Sequence, residues 1–299
     1  MAAALRLAER GLYTTSPNPN VGCVIVSNGK VVGRGWHARA GEPHAEVHAL
    51  REAGEQAHGA DVYVTLEPCS HHGRTPPCAD GLIEAGVSRV VAAMMDPNPL
   101  VAGQGLSRLE HAGIHTETGL QQSEAEQLNP GFIKRMRTGL PYVRCKLAMS
   151  LDGRTAMASG ESRWITGEAA RRDVQQLRAR SDAIMSGVGT VLADDPSLNV
   201  RIDGLDDGFR QPLRVILDSR WRTPAAAKLL DLPGETLIVG GAADAGSAAH
   251  LVRSGVRVVP LPLQGGRLDL PAVLQYLATL QINEVHLEAG ATLCGALLQ

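Results

Sequence analysis

Short apolar runs alternate with amphipathic segments along the first half of the chain. Val21–Val26 and Lys30–Trp36 flank Asn28-Gly29, a dipeptide typical of a tight hairpin turn. Further apolar runs of strand length alternate with segments of helical periodicity. We therefore predict strands at Asp61–Leu66, Arg89–Ala93 and Ile114–Glu117, and helices near Glu46–Ala53, Cys78–Gly86, Gly105–His111 and Ser123–Met136.

The second half repeats this alternation after a cluster of breaker residues, Thr138-Gly139-Leu140-Pro141, which we interpret as a domain boundary. The pattern predicts strands at Tyr142–Met149, Ala183–Ser186, Arg214–Leu217, Thr236–Val239, Val256–Pro260 and Val285–Leu287, and helices near Glu168–Ala179, Gly246–Arg253 and Leu270–Leu280. Strands that alternate with helices form mostly parallel sheets that are covered on both faces. We expect two α/β domains, residues 1–139 and 140–299, the first of which opens with an antiparallel hairpin.

Composition and charge restrict the partners of the protein. The chain has 299 residues and a formal net charge of −2, and it contains no long run of like charges. A dedicated nucleic-acid surface is normally basic, so this balance argues against one. No stretch approaches the ~20 apolar residues needed to span a bilayer, and the N-terminus predicts an amphipathic helix rather than a secretory signal. We expect a cytoplasmic protein that binds neither nucleic acid nor membranes.

The cysteines fall into two groups. Cys23, Cys145 and Cys294 lie among small or apolar residues, and we expect them to be core residues. Cys69 and Cys78 lie instead among prolines, histidines and glycines. An odd, widely spread set in a reducing compartment does not predict a disulfide framework, so the second pair points to chemistry.

The segment Pro43-His44-Ala45-Glu46 and the two cysteines that follow it have the residue types of a catalytic zinc site. Such a site binds zinc through imidazole and thiolates and keeps the fourth position for water, so His44, Cys69 and Cys78 are the predicted ligands. Glu46 is too close to His44 in sequence to be a fourth ligand, and we predict that it transfers protons. H-x-E…P-C…C is the signature of zinc deaminases, although Ser70–Pro77 here replaces the usual two-residue spacer.

A structural zinc site is the alternative interpretation. His48, His71 or His72 would then fill the fourth position, and His44 and His48 have the spacing of neighbours on a helix. The H-E-x-x-H motif of zinc proteases is not matched, because the acid is the third residue here. A structural site has no need of Glu46, which favours the catalytic interpretation.

Longer motifs in both halves match one known family. They are Thr15–Gly22, Gly35-Trp36-His37, His44-Ala45-Glu46, Glu67–Cys78, Asp96–Pro99, Gly103-Gln104-Gly105, Lys146–Gly153, Trp164–Gly167 and Asp194-Asp195-Pro196. Together they resemble the bifunctional riboflavin-biosynthesis deaminase–reductase family over nearly the whole chain. The resemblance implies an N-terminal cytidine-deaminase-like α/β/α sandwich followed by a dihydrofolate-reductase-like α/β domain.

The resemblance also implies two successive reactions. The N-terminal domain would hydrolytically deaminate a diamino-ribosylaminopyrimidinone 5′-phosphate, with zinc held by the three ligands above and Glu46 as the proton shuttle. The C-terminal domain would then reduce the ribosyl group to ribityl with NADPH. Asn18 matches a pocket-lining position, although an asparagine between two prolines equally suits a turn, and His37 belongs either to the pocket or to the packing.

By the same resemblance, two sets of residues line the sites of the C-terminal domain. Those expected along the substrate are Ser162, Arg178, Leu198, Arg201 and Glu288. Those expected along NADPH are Ala148, Trp164, Thr190, Asp194 and Ser219. Arg178 and Arg201 are candidate phosphate ligands, because a guanidinium binds phosphate oxygens with two parallel hydrogen bonds. Without the resemblance, each arginine would be interpreted as a surface charge.

A further phosphate site is predicted at the end of the last strand. There a helix begins with small residues whose free N–H groups can bind an anion, namely Gly290, Ala291, Thr292, Leu293, Cys294, Gly295 and Ala296. An ordinary strand–helix turn is the alternative. Gly187–Thr190 is similar to part of a dinucleotide fingerprint, but Leu192 occupies the third glycine position and a Rossmann site is not predicted.

The chain ends at Gln299 within this helix, whereas members of the family usually continue through further strands. We therefore expect a reductase domain that is truncated at its C-terminus, and homo-oligomers formed through that domain. The competing function is deamination of a different base or nucleoside with a non-catalytic second domain. A non-enzymatic alternative is a zinc-stabilised module that binds nucleotides and unfolds when the metal is removed.

Overall fold

Two units with separate hydrophobic cores make up the chain, Met1–Gly139 and Leu140–Gln299. The computed structural model describes residues 1–71, 76–99, 101–162, 164–205 and 209–298, apart from the side chains of 243–245. Both units are mixed α/β structures, which confirms the predicted fold class. In the described part of the chain, no helix combines the length and the apolarity needed to cross a membrane.

A five-stranded sheet organises the first unit. Its strands are β1 (Gly22–Ser27), β2 (Lys30–Trp36), β3 (Asp61–Val64), β4 (Arg89–Ala92) and β5 (His115–Thr118), and its helices are α1 (Ala2–Ala8), α2 (Ala45–Ala53), α3 (Cys78–Glu84), α4 (Gln104–His111), α5 (Gln122–Leu128) and α6 (Pro130–Thr138). The strand order is β2-β1-β3-β4-β5. β1 pairs antiparallel with β2 and β3, whereas β3, β4 and β5 are parallel to one another.

Glycines on β2 let α2 lie directly against the sheet. A Cβ atom on Gly35 would lie 2.1 Å from the carbonyl oxygen of Ala45, and one on Gly33 would lie 2.2 Å from that of Ala49. Only residues without a side chain fit at such distances. This contact fixes α2, and with it His44 at the N-cap and Glu46 in the first turn.

The predicted helix near Ser123–Met136 is wrong as a single element, because it is broken at Asn129. α5 ends at Leu128 and Pro130 opens α6, where its missing N–H is not needed. The Asn129 side chain accepts a hydrogen bond from the Asn20 N–H at 2.7 Å and donates one to the Asn20 carbonyl at 2.9 Å. A tertiary contact over a long sequence distance therefore holds the break.

A six-stranded sheet organises the second unit. Its strands are β6 (Tyr142–Lys146), β7 (Ala183–Gly187), β8 (Leu213–Leu217), β9 (Thr236–Gly241), β10 (Val256–Leu261) and β13 (Glu284–Glu288), with a separate hairpin of β11 (Leu263–Gln264) and β12 (Arg267–Leu268); its α-helices are α7 (Glu168–Arg180), α8 (Val188–Asp194), α9 (Leu270–Thr279) and α10 (Ala291–Ala296). The strand order is β10-β9-β8-β7-β13-β6, and all of these pairings are parallel. Core clusters cover both faces of the sheet, since Met185 belongs to one and Ile184 to the other.

Three predictions for this unit need correction. α8 was not predicted, because the glycines of Gly187–Thr190 hide the start of a helix that follows β7 at once. The helix predicted near Gly246–Arg253 is a 3₁₀ helix over Ala242–Leu251. The strand predicted over Tyr142–Met149 ends at Lys146.

Candidate metal centre and active sites

The three side chains predicted as metal ligands meet in the first unit. His44 caps α2, Cys69 lies in the loop that follows β3, and Cys78 begins α3. Their ligand atoms all lie within 4.8 Å of one another. His44 Nδ1 is 3.2 Å from Cys78 Sγ and 3.6 Å from Cys69 Sγ. Residues from three separate segments thus form one compact donor set.

This donor set suits zinc. Ligand atoms at about 2.3 Å (sulfur) and 2.0 Å (nitrogen) from a tetrahedral zinc ion lie about 3.5–3.8 Å from one another. Two thiolates also balance the charge of the ion, and soft ligands of this kind select zinc over calcium or magnesium. Among the described residues, the group consists of His44, Cys69 and Cys78, without His48 or His71. His72, the third residue considered for a fourth ligand, lies outside the described residues.

The two thiols differ in acidity. A hydrogen bond with Cys78, assisted by His44 and by the Cys78 backbone N–H, lowers the pKa of Cys69 to about 4. That backbone N–H donates to Cys69 Sγ at 3.3 Å. The same thiol–thiol contact, together with burial, raises the pKa of Cys78. Cys69 is therefore the more acidic of the two thiols.

Glu46 lies beside the cluster and is almost fully buried. Burial raises the pKa of its carboxyl group to about 7, against the charge of His44, which lowers it. A carboxyl group with a pKa near neutrality can both accept and donate a proton, as a hydrolytic shuttle must.

His37 supports the ligand histidine. The two rings meet edge to face, with centroids 5.2 Å apart and an interplanar angle of 83°. His37 Nε2 is 3.0 Å from Asn18 Nδ2, and its Nδ1 is 3.2 Å from the Pro43 carbonyl oxygen. Burial lowers the pKa of His37. Asn18 and His37 therefore form one hydrogen-bonded unit behind His44.

Two acids near the centre, the buried Glu67 and the half-buried Asp96, received no role from the sequence. Glu67 is 3% exposed and follows β3, and Asp96 follows β4, the neighbouring parallel strand. Burial raises the pKa of Asp96 to about 6, and the charges of Glu67 and Cys69 act in the same direction. The signal available in the sequence was their place after adjacent strands, because the carboxyl ends of parallel strands meet at one edge.

The residues predicted to bind the cofactor of the second unit follow the carboxyl ends of adjacent strands. Ala148 follows β6, Thr190 lies in α8 after β7, Ser219 follows β8, and Gly290 caps α10 after β13. These four strands are neighbours in the order β8-β7-β13-β6. Open parallel sheets bind ligands at this edge, so the residues share the expected location.

Two other residues predicted for the cofactor are exposed. Asp194 is the last residue of α8. Trp164 is 72% exposed, and the guanidinium carbon of Arg171 lies 4.5 Å from the centroid of its ring. Both are therefore available to a ligand rather than part of the core.

Two of the residues predicted for the substrate, Arg178 and Glu288, form a buried ion pair. Arg178 Nη2 donates to Glu288 Oε2 at 2.8 Å, Nε donates to Oε1, and Nη1 donates to the Asn199 carbonyl at 2.8 Å. Burial alone would raise the pKa of Glu288, but Arg178 and His286 outweigh it and hold the pKa below its usual range. Arg178 thus uses three of its N–H groups in hydrogen bonds within the protein. The bond to the Asn199 carbonyl orders the segment that leads to Arg201.

The remaining predicted substrate residues differ in exposure. Leu198 is buried with a left-handed backbone (φ 43°), whereas Ser162 and Arg201 are exposed. Arg201 Nη1 donates to Asn199 Oδ1 at 2.6 Å. Partial burial lowers the pKa of Arg201, and the nearby charge of Arg178 acts in the same direction. Of the two predicted phosphate ligands, Arg201 is the more accessible one.

Two family models match the chain in tandem. The cytidine and deoxycytidylate deaminase zinc-binding region matches residues 1–94, and the RibD C-terminal domain matches residues 141–299. The riboflavin biosynthesis protein RibD of Escherichia coli K12 is 58% identical over 308 residues, which cover 100% of this chain and 83% of that protein. The protein of the same name from Haemophilus influenzae is 52% identical and is covered to 81% of its length.

Solved structures agree with these matches. Acinetobacter baumannii RibD is 53% identical and superposes with a TM-score of 0.89, covering 100% of this chain and 82% of the other. A Thermotoga maritima protein described as a diaminohydroxyphosphoribosylaminopyrimidine deaminase/5-amino-6-(5-phosphoribosylamino)uracil reductase is 33% identical, with a TM-score of 0.83 and coverage of 97% and 79%. The chain belongs to the RibD family of riboflavin biosynthesis proteins, bifunctional enzymes in which a zinc-binding deaminase domain precedes a reductase domain that uses a nucleotide cofactor.

Proposed function

We propose that the first unit hydrolytically deaminates a diamino-ribosylaminopyrimidinone 5′-phosphate, and that the second unit then reduces the ribosyl group to ribityl with NADPH. The convergence of His44, Cys69 and Cys78 beside the buried acid Glu46 carries this proposal. The described activities of the related Thermotoga maritima protein support the choice of substrate.

In the first unit, His44 Nδ1 and the sulfurs of Cys69 and Cys78 would hold zinc, which would supply an activated water molecule when bound. Glu46 takes a proton from the attacking water and delivers protons to the ring nitrogen and to the leaving amine, which departs as ammonia. Its raised pKa suits both directions of transfer. His37 and Asn18 keep the His44 ring in the orientation that presents Nδ1 to the thiols.

In the second unit, the carboxyl edge of β8-β7-β13-β6 binds NADPH, which supplies the reducing electrons. Its proposed contacts are Ala148, Trp164, Thr190, Asp194, Ser219 and the segment from Gly290 to Ala296. Arg201 binds the substrate phosphate, since it is the accessible arginine, and Ser162 and Leu198 line the same pocket. Arg178 and Glu288, which form an ion pair with each other, also line the proposed substrate site.

Both steps can be tested in one assay, in which zinc-loaded protein is incubated with the diaminopyrimidine phosphate. We expect ammonia release without NADPH, and oxidation of NADPH only after deamination has occurred. Protein that contains one zinc ion per chain and releases no ammonia from this substrate would refute the deaminase assignment. Ammonia release with no NADPH oxidation would refute the reductase assignment alone.

A further inference from the structure

Glu67 makes an unusual set of contacts for a buried acid. Its carboxylate accepts hydrogen bonds from four backbone N–H groups. Among the described residues, no side chain donates a hydrogen bond to it. Oε2 accepts from Asp96 at 3.1 Å and from Gly103 at 2.9 Å. Oε1 accepts from Gly105 at 2.9 Å and from Leu106 at 3.4 Å. One side chain therefore binds both ends of the segment from Asp96 to Leu106.

This segment includes the first turn of α4. Gly103 caps the helix without a side-chain cap of its own, so Glu67 supplies the acceptor that the N-terminal N–H groups require. A negative charge at this end of a helix also interacts favourably with the helix dipole. The carboxylate thus serves as a cap that comes from a distant part of the chain.

The backbone of the same residue leads directly to the metal centre. Cys69 lies two residues after Glu67, and the Glu67 N–H donates to the Met94 carbonyl at 3.0 Å. Pro68 touches α4 so closely that a Cβ on Gly105 would lie 1.9 Å from the Pro68 carbonyl oxygen. The position of Cys69 therefore depends on the contacts that its loop makes with α4 and with the segment that carries Asp96.

We propose that Glu67 is a positioning residue for deamination: through its four backbone hydrogen bonds it fixes Cys69 relative to His44 and Cys78. The proposal rests on the proposed deaminase function of the first unit. Groups that hold metal ligands in place commonly change activity about 10- to 100-fold when they are removed. If Glu67 only stabilised the fold, its substitution would lower the fraction of folded protein but would leave the metal coordination of the folded molecules unchanged.

The test compares Glu67→Gln with Leu109→Ala. Leu109 is a fully buried core residue of α4, so its truncation destabilises the same helix without changing the carboxylate. Each variant is loaded with cobalt(II), and its thiolate-to-cobalt absorption, thermal unfolding and deamination rate are measured. Gly105→Ala provides an independent displacement of the Pro68–Cys69 backbone.

We expect Glu67→Gln and Gly105→Ala to shift the cobalt spectrum and to lower kcat about 10- to 100-fold with little change in KM. Leu109→Ala should keep the wild-type spectrum at a similar loss of thermal stability. A wild-type spectrum in Glu67→Gln, or the same spectral shift in Leu109→Ala, would overturn the proposal. So would failure of both Glu67→Gln and Glu67→Asp to give metal-binding protein, because Glu67 would then be required for folding itself. A wild-type protein without deaminase activity would refute the proposed function, whereas the spectra would still decide the role of Glu67.

Discussion

The candidate metal centre of the first unit and the Arg178–Glu288 pair of the second are both largely shielded from solvent, yet they are built from different chemistry. His44 and Cys78 are 34 residues apart and belong to types that rarely cluster without a metal or a reaction. Arg178 and Glu288 are 110 residues apart and belong to types common on any surface. The comparison teaches that a site is recognisable in sequence when its residue types are chemically specific.

The largest expected effect is on deamination, which should depend on the first cluster and not on the second. Glu46→Gln should lower the deamination rate by about 10²- to 10⁴-fold, because the amide cannot transfer protons. Zinc content and NADPH oxidation with the deaminated substrate should be unchanged. Metal analysis and the two separate assays check this result. Loss of zinc together with activity would show instead that Glu46 holds the centre together.

Breaking the Arg178–Glu288 ion pair should destabilise the second unit without affecting the activity of the first. Arg178→Ala should lower the free energy of unfolding of the second unit by about 3–5 kcal/mol, because Glu288 is left buried without its partner. Deamination should continue at the wild-type rate. Denaturant unfolding of Arg253→Ala is the control, since that arginine pairs with the exposed Asp231 and should contribute only about 0–1 kcal/mol. Equal losses in the two variants would contradict the comparison.

A pH series tests the charge of Glu288. Its pKa lies below the usual range in the folded protein, so its contribution to stability is present above the unfolded pKa of about 4.3 and is lost as the pH falls below that value. Glu288→Gln should remove this dependence, which amounts to at most about 1.4 kcal/mol per pH unit for one proton. Unfolding free energies measured from pH 7 to pH 3 decide the matter. An identical slope in variant and wild type would show that the pKa of Glu288 is the same in the folded and unfolded states.

The smallest expected effect concerns the Arg171 guanidinium that lies over Trp164. Arg171→Ala should lower stability by only about 0.5–1 kcal/mol, because the Trp164 ring is 72% exposed and a cation–π contact at an exposed ring is weak. Arg172→Ala is the matched control, since it lies on the same helix and forms an exposed pair with Glu168. Thermal unfolding compares the two. A loss of several kcal/mol in Arg171→Ala would place Trp164 in the core of the second unit.

The sequence predicted the cluster of His44, Cys69 and Cys78 and most strands, because each depends on local pattern or on chemically specific residues. It did not predict the contacts of Glu67, because a carboxylate that binds backbone N–H groups has no partner residue type to recognise. The break at Asn129 escaped for a related reason, since its partner Asn20 lies 109 residues away. α8 was missed because glycine at the start of a helix has the signature of a turn.

Gly33 and Gly35 are not among the three proposed ligands, yet they set how closely the histidine-bearing helix packs on the sheet. An added methyl group at either position would lift that helix by roughly the width of an atom and carry His44 away from the thiols. A sequence comparison that examines only the histidine, the acid and the cysteines would conclude that the site of such a variant is unchanged. Inactivating substitutions in this protein can therefore arise on a strand that meets neither metal nor substrate.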